Sequence, residues 1–479
     1  AGSAAEPALT GPGAGGFLLA RDPSGRLTLL DLFVAVPGLG PRGRSLDGDE
    51  LDSFTVPFGG AEQVFHIGPA SVATPGMVPG VAEASRRLGA LDLRDLVAPA
   101  AAIAREGAPL TAQAEYLHRI LHEMLTFTPE AAAIFEPEGR PLRRGERIVN
   151  PDLAETLEWI GREGPEVLTR GSLGAAVVDH LREVGGLVTA EDLSAYEVIE
   201  RAPVEIEFAG ATVVTNAPPS TGGSLIATAL AELDREGFHG DDAERLLALA
   251  RASEVANRRR DELGHEALRR SDAPDRLGIG GLSDPRRRPT GTTHVSAVDA
   301  EGGSAGLSTS NGSGSGVVVP GTGFLLNNML GEEDLNPDGF GAIPPGQRMS
   351  SMMAPTLVLR GDRPPLAIGS AGSNRLRSAI TQSIAWIVGG GMSPGMAVGR
   401  PRLHVEGGRV DVEPGIPDSV VSALEGDGWA VRRWSEQNLF FGGVSVAGPT
   451  PAGLEAAGDP RRGGGAAGVT HDGRVVALG

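Results

Sequence analysis

Residues 287–316 read RRPTGTTHVSAVDAEGGSAGLSTSNGSGSG, and in them two threonines follow a glycine at the head of an alternating run. The alternation predicts two strands, 293–299 and 304–310, closed into a hairpin. A hairpin needs no such entry, but a nucleophile that must be uncovered by cutting the chain does. A threonine hydroxyl is a poor nucleophile without a base beside it. As the first residue of a new chain, Thr292 has its own α-amino group for that base. Gly291, lacking a Cβ, lets the scissile carbonyl take a strained geometry. Upstream, residues 271–291 are rich in Asp, Pro, Gly and Arg without periodicity, which predicts an exposed linker. Taken alone, Gly-Thr-Thr also fits a plain Thr-rich strand start.

Composition narrows the chemistry. All 42 basic residues among the 479 are Arg, so lysine is removed as nucleophile or phosphate ligand. Cysteine is absent, which excludes thiol catalysis, disulfides and thiolate metal sites. A net charge of -19 argues against a nucleic-acid partner. The nine His show no HExxH or HxxEH spacing, and neither a metal nor a cofactor is expected. No apolar run reaches the length of a membrane span. The chain opens at AGSAAEPALTGPG without an initiator Met, so a natural N-terminus is expected upstream. If an export signal was lost with it, the protein is periplasmic or extracellular; otherwise it is cytoplasmic.

Along the chain, GGFLLARD and GRLTLLDLFVAV predict a hairpin around Pro23-Ser24-Gly25. Residues 77–270 read as mostly helical, with a helix start at Asn150-Pro151. Strands are predicted again at 323–327, 355–360 and 365–369, followed by a helix from Asn374. GPGAGG at 11–16 fits G-x-G-x-x-G but has a strand after it instead of before it, so no dinucleotide site is expected.

Many motifs then point one way. TTHVSAVDAEGGSAGLSTSN, GFLLNNML, RMSSMMAPTLVL, LAIGSAGSNRLRSAITQSI and AAGDPRRGGGAAG occur in order, after EPALTGPGAGGFLL and NAPPSTGGSLI. The chain resembles the γ-glutamyltranspeptidase family over nearly its whole length. The resemblance implies an α+β fold, the four-layer αββα sandwich of the N-terminal-nucleophile hydrolases. It implies autocleavage between Gly291 and Thr292 into a large subunit, 1–291, and a small one, 292–479, held together as a heterodimer. Thr292 would take the acyl group of a γ-glutamyl compound such as glutathione and pass it to water or an amine acceptor.

The same resemblance assigns residues. Ser310, 18 positions after Thr292, would orient the nucleophile, with Thr309 its neighbour if the register slips. Asn311 resembles a substrate-contacting Asn, one position early. Ser350 and Ser351 match paired serines on the substrate α-carboxylate. Gly372 matches the first of two oxyanion glycines, and Ser373 replaces the second; a backbone donor does not depend on its side chain. Glu332 stands for the acid that holds the α-amino group, and Met329 replaces a Gln. Phe33, in LLDLFVAVP, replaces the arginine that grips the carboxylate, a contact worth about 1.5–3 kcal/mol. His294 is expected to be structural and to point away from the nucleophile. Two rivals remain: a β-lactam or glutaryl-amide acylase of the same fold, favoured by Phe33, and a non-enzymatic ligand-binding relative.

Overall fold

The alternation at 293–310 is realised as a hairpin in the computed structural model, which describes residues 1–57, 62–277, 292–336 and 338–478. Gly291 and most of the expected linker lie outside the described residues. Eleven strands build the centre: β1 (Gly15–Arg21), β2 (Leu27–Leu32), β3 (Ile199–Arg201), β4 (Val204–Phe208), β5 (Ala211–Thr215), β6 (Thr293–Val298), β7 (Ser304–Ser310), β8 (Thr356–Leu359), β9 (Leu366–Ala371), β10 (Gly443–Thr450) and β11 (Gly453–Gly458). They form two antiparallel sheets, ordered β6-β7-β1-β2-β3 and β11-β10-β9-β8-β5-β4.

Because side chains alternate along a strand, each sheet presents two faces. On the inner faces Leu19 and Leu29 meet Val214, Leu357 and Ala367. Outside the second sheet lie α5 (Gly222–Glu236), α6 (Asp242–Asp261) and α7 (Asn374–Ile384), and Ile226, Leu230, Leu249 and Ile380 pack against Val213, Val358 and Ile368. Outside the first sheet lies α1 (Met77–Leu88), set so close that a Cβ on Gly80 would be 2.2 Å from that of Leu32. Behind it α2 (Leu93–Glu106), α3 (Pro151–Glu163) and α4 (Ser172–Val184) share an apolar core. Helices, sheet, sheet and helices make the four αββα layers. The start read at Asn150-Pro151 is correct: the Asn150 side chain accepts from Leu153 N at 3.0 Å, capping α3.

Three expectations need correction. Residues 199–215, read inside a helical region, form β3, β4 and β5, and the alternation in VEIEF carries that signal. Residues 323–327 are not a strand. A single bridge joins Val318 and Leu325, because Asn327 turns its amide to Gly13 and Ala73 instead of continuing a ladder. His294 lies on the same side of the chain as Thr292, since residues two apart in an extended segment share a face. It is nonetheless held for packing. Its Nδ1 pairs with Ser308 Oγ at 2.8 Å and its Nε2 with Ser296 Oγ at 3.0 Å, and burial pushes its pKa down to about 3.

Candidate active site

Thr292 stands one residue before β6, is buried, and lines a cavity of about 210 Å³ together with Glu6, Thr293, Ala371, Gly443 and Arg462. β6 pairs with β7 so that Thr293 faces Thr309. The ladder ends at that pair; the same register carried one residue further would bring Ser310 opposite Thr292. Within the ladder Thr309 shares the side of Thr293, and Ser310, next along the strand, lies on the other side. Thr309 Oγ1 is taken up by Thr10 Oγ1 at 2.9 Å, and Thr293 Oγ1 donates to Glu6 Oε2 at 2.6 Å. Ser310 Oγ accepts from Gly312 N at 2.8 Å, which starts the turn that follows.

That turn carries the next two residues. Asn311 is fully buried, and among the described residues neither its Oδ1 nor its Nδ2 has a hydrogen-bond partner. Leaving such a group unpaired costs on the order of 1–3 kcal/mol, so a partner that met its amide would be favoured. Gly312, at φ 71°, is required: a Cβ would sit 2.1 Å from Asn328 Oδ1 and 2.7 Å from Glu332 Oε1. Glu332 is buried and accepts from Ser313 N at 3.2 Å. Burial, with Asp334 nearby, pushes its carboxyl up to about 8.

At the end of β9, Ala371 runs into Gly372 and Ser373, and α7 begins at Asn374. Gly372 has φ 118° and approaches Gly442 so closely that a Cβ would be 2.8 Å from its Cα. Ser373 has φ 47° and ψ -128°, a conformation that costs an L residue on the order of 1–3 kcal/mol. Among the described residues no acceptor meets the N–H of Gly372 or of Ser373. Two adjacent open donors at a helix start suit developing negative charge. Ser373 Oγ donates to Asp334 Oδ2 at 2.7 Å, and Asn374 Nδ2 donates to Asp334 Oδ1 at 3.4 Å. Asp334 is not marked by any motif in the sequence, since its partners lie about forty positions on.

Ser350 and Ser351 are buried beside the loop before α5. Ser350 Oγ donates to Pro219 O at 3.0 Å, while Ser351 Oγ accepts from Met353 N at 3.0 Å and so keeps its own proton to donate. The flanking Met349 and Met353 belong to an apolar cluster with Phe17, Phe33 and Met329. Phe33 stacks on Phe17 with centroids 5.4 Å apart. Both positions where a polar grip was looked for, 33 and 329, are therefore parts of one buried apolar cluster. Two arginines are engaged with Asp31 and its surroundings: Arg201 binds Asp31 at 2.6 Å, and Arg348 lies 3.4 Å from Asp31 and 4.1 Å from the ring centre of Tyr196.

The family model described as Gamma-glutamyltranspeptidase matches residues 2–278 and 252–469. The chain belongs to the gamma-glutamyltranspeptidase family. Within this family, the Acylase ACY 1 proenzyme of Pseudomonas sp. (strain V22) is 31% identical over 90% of this chain and 81% of its own length. The Glutathione hydrolase proenzyme of Escherichia coli (strain K12) is 29% identical, over 90% and 80%. A solved cephalosporin acylase from Bacillus halodurans superposes with a TM-score of 0.80 at 24% identity, covering 100% of this chain and 89% of that one. The four-layer arrangement is thus the N-terminal-nucleophile hydrolase fold. A gamma-glutamyltranspeptidase-family chain can evidently lie near relatives named for either of two activities, and what separates them must be sought in the residues that meet the acyl group.

Proposed function

We propose that this protein is a self-cleaving amide acylase that uses Thr292 as nucleophile and prefers acyl groups whose far end is uncharged over γ-glutamyl. The observation that carries the reading is that Phe33 and Met329, where a polar grip on a carboxylate was looked for, are buried in one apolar cluster with Phe17 and with Met349 and Met353 from the segment that holds Ser350 and Ser351. A carboxylate brought there would be desolvated without a cationic partner, which is unfavourable. In the mechanism proposed, cutting before Thr292 frees its α-amine, which takes the hydroxyl proton as Oγ attacks the amide carbonyl. Ser310, opposite on β7, holds the hydroxyl in line. The N–H groups of Gly372 and Ser373 receive the oxyanion. The leaving amine departs with the proton, and water or a second amine takes the acyl group.

The second reading, glutathione hydrolysis and γ-glutamyl transfer, is favoured by Asn311 and Glu332. The resemblance assigns Asn311 to the substrate and Glu332 to its α-amino group, and in support the Asn311 amide has no partner among the described residues while Glu332 accepts from Ser313 N in the same turn. The test is mass spectrometry of the purified full-length protein, then kcat/KM on a γ-glutamyl anilide and a neutral acyl anilide. Two fragments are expected, the smaller starting at Thr292, with Thr292→Ala uncut. The neutral donor should be the better one. Phe33→Arg should move the preference toward γ-glutamyl about tenfold, the equivalent of about 1.4 kcal/mol, in protein shown to be folded by its own cleavage. A wild type that stays whole sinks the catalytic reading. One that prefers γ-glutamyl by orders of magnitude leaves only the second.

A further inference from the structure

Ser373 stands where the backbone has taken a shape suited to glycine. Among the described residues only one other non-glycine residue has positive φ, Ala209, in the exposed turn between β4 and β5. The Ser373 side chain is therefore either a tolerated burden or part of what holds the turn. Its environment decides. Its hydroxyl points at Asp334 Oδ2, 2.7 Å away, while the other carboxylate oxygen meets Asn374, the first residue of α7. Asp334 itself cannot drift. It sits in the short turn Glu333–Leu335, which Asn336 ties down by donating to the carbonyls of Met329, Leu330 and Glu332 at 3.1, 3.0 and 2.9 Å. One carboxylate thus clamps two successive residues from a fixed point.

We propose that Asp334 is a positioning residue for the oxyanion turn: by accepting the Ser373 hydroxyl and the Asn374 amide it holds Ser373 at positive φ and so aims the N–H groups of Gly372 and Ser373 at the reacting carbonyl. This rests on the oxyanion assignment above. It explains how a serine is accommodated there: the side chain that makes the turn strained also supplies the bond that fixes it. A glycine would need no such bond, because it enters positive φ freely. The clamp and the serine should therefore act as a unit.

A double-mutant cycle tests this with Asp334→Ala, Ser373→Gly and the pair, assayed on the amide the wild type turns over best. In the wild-type background Asp334→Ala should lower kcat at least tenfold with KM changed less than twofold. In the Ser373→Gly background the same change should cost less than threefold. Equal losses in both backgrounds, or a loss confined to KM, would overturn the proposal and leave Asp334 as ordinary packing. Hydrogen exchange over residues 366–380 reads the turn without turnover: Asp334→Ala should speed exchange at its amides in the wild-type background and not in Ser373→Gly. If the wild type cleaves no amide, the functional reading fails while the exchange result still upholds or rejects the clamp.

Discussion

A carboxyl that must meet an ammonium ion has to be ionised, and Glu332 is held back from ionising. Burial, then the neighbouring Asp334, pushes it up to about 8. At pH 7 most of it is protonated, and the ionised share grows roughly eightfold by pH 8.5. Donors carrying an α-ammonium should gain from that rise, and donors without one should not. The Thr292 α-amine must also lose a proton, but it does so for both donors alike. The expected outcome is that the ratio of kcat/KM for a γ-glutamyl anilide to that for the neutral anilide climbs by about this factor over the interval. In Glu332→Gln the ratio should stay flat. A flat wild-type ratio would remove Glu332 from the amine site. The same residue bears on stability: with its folded pKa raised, the folded chain keeps a proton that the unfolded chain releases, so stability falls as pH rises from about 4.5 to 8. At this scale the sequence singled out residues that stand in a motif, as with Thr292, Ser310 and Gly372. It was silent on Asp334, whose partner Ser373 comes near only in the folded chain.

Elements show a parallel division. β1, β2, β6 and β7 were legible in the sequence as two hairpins, one around Pro23-Ser24-Gly25 and one over 293–310. α7 was legible as a helix from Asn374, but its burial was not: NRLRSAITQSI is polar along much of its length, yet the whole helix is buried. It survives there because its polar groups find partners. Arg377 pairs with Glu406, Ser378 with His404, and Gln382 donates to Leu403 O at 2.7 Å. No periodicity can announce pairings with a strand twenty or more residues away. Another element-level feature is the contact between β6 and β9. A Cβ added to Gly369 would stand 2.3 Å from the His294 ring, which Ser308 and Ser296 prevent from turning. Gly369→Ala should therefore destabilise by about 1–3 kcal/mol, read as a lower midpoint in chemical denaturation. An unchanged midpoint would mean the two sheets have room to part. Since burial holds His294 neutral, stability should also decline as pH falls from about 6.5 toward 3, where the unfolded chain takes up a proton the folded chain refuses.

At the scale of the molecule, the chain order of the strands is what matters. Each sheet joins a block of strands from before Thr292 to a block from after it: the seam is β7 against β1 in one sheet and β8 against β5 in the other. Neither segment owns a complete sheet, so each would expose unpaired edges and half a core if it stood alone. If the chain is cut before Thr292 as proposed, the two pieces should elute as one species and come apart only in denaturant. While the peptide bond before Thr292 is intact, the two halves search for each other within one chain, at an effective concentration fixed by the connection. Once it is cut, the same search becomes a meeting of strangers whose success depends on dilution. Denatured mature protein diluted tenfold should regain its structure poorly, while denatured Thr292→Ala regains it equally well at either concentration. The cut that arms the nucleophile would then also make folding an event that happens once: the working enzyme is a shape its own two pieces no longer know how to reach.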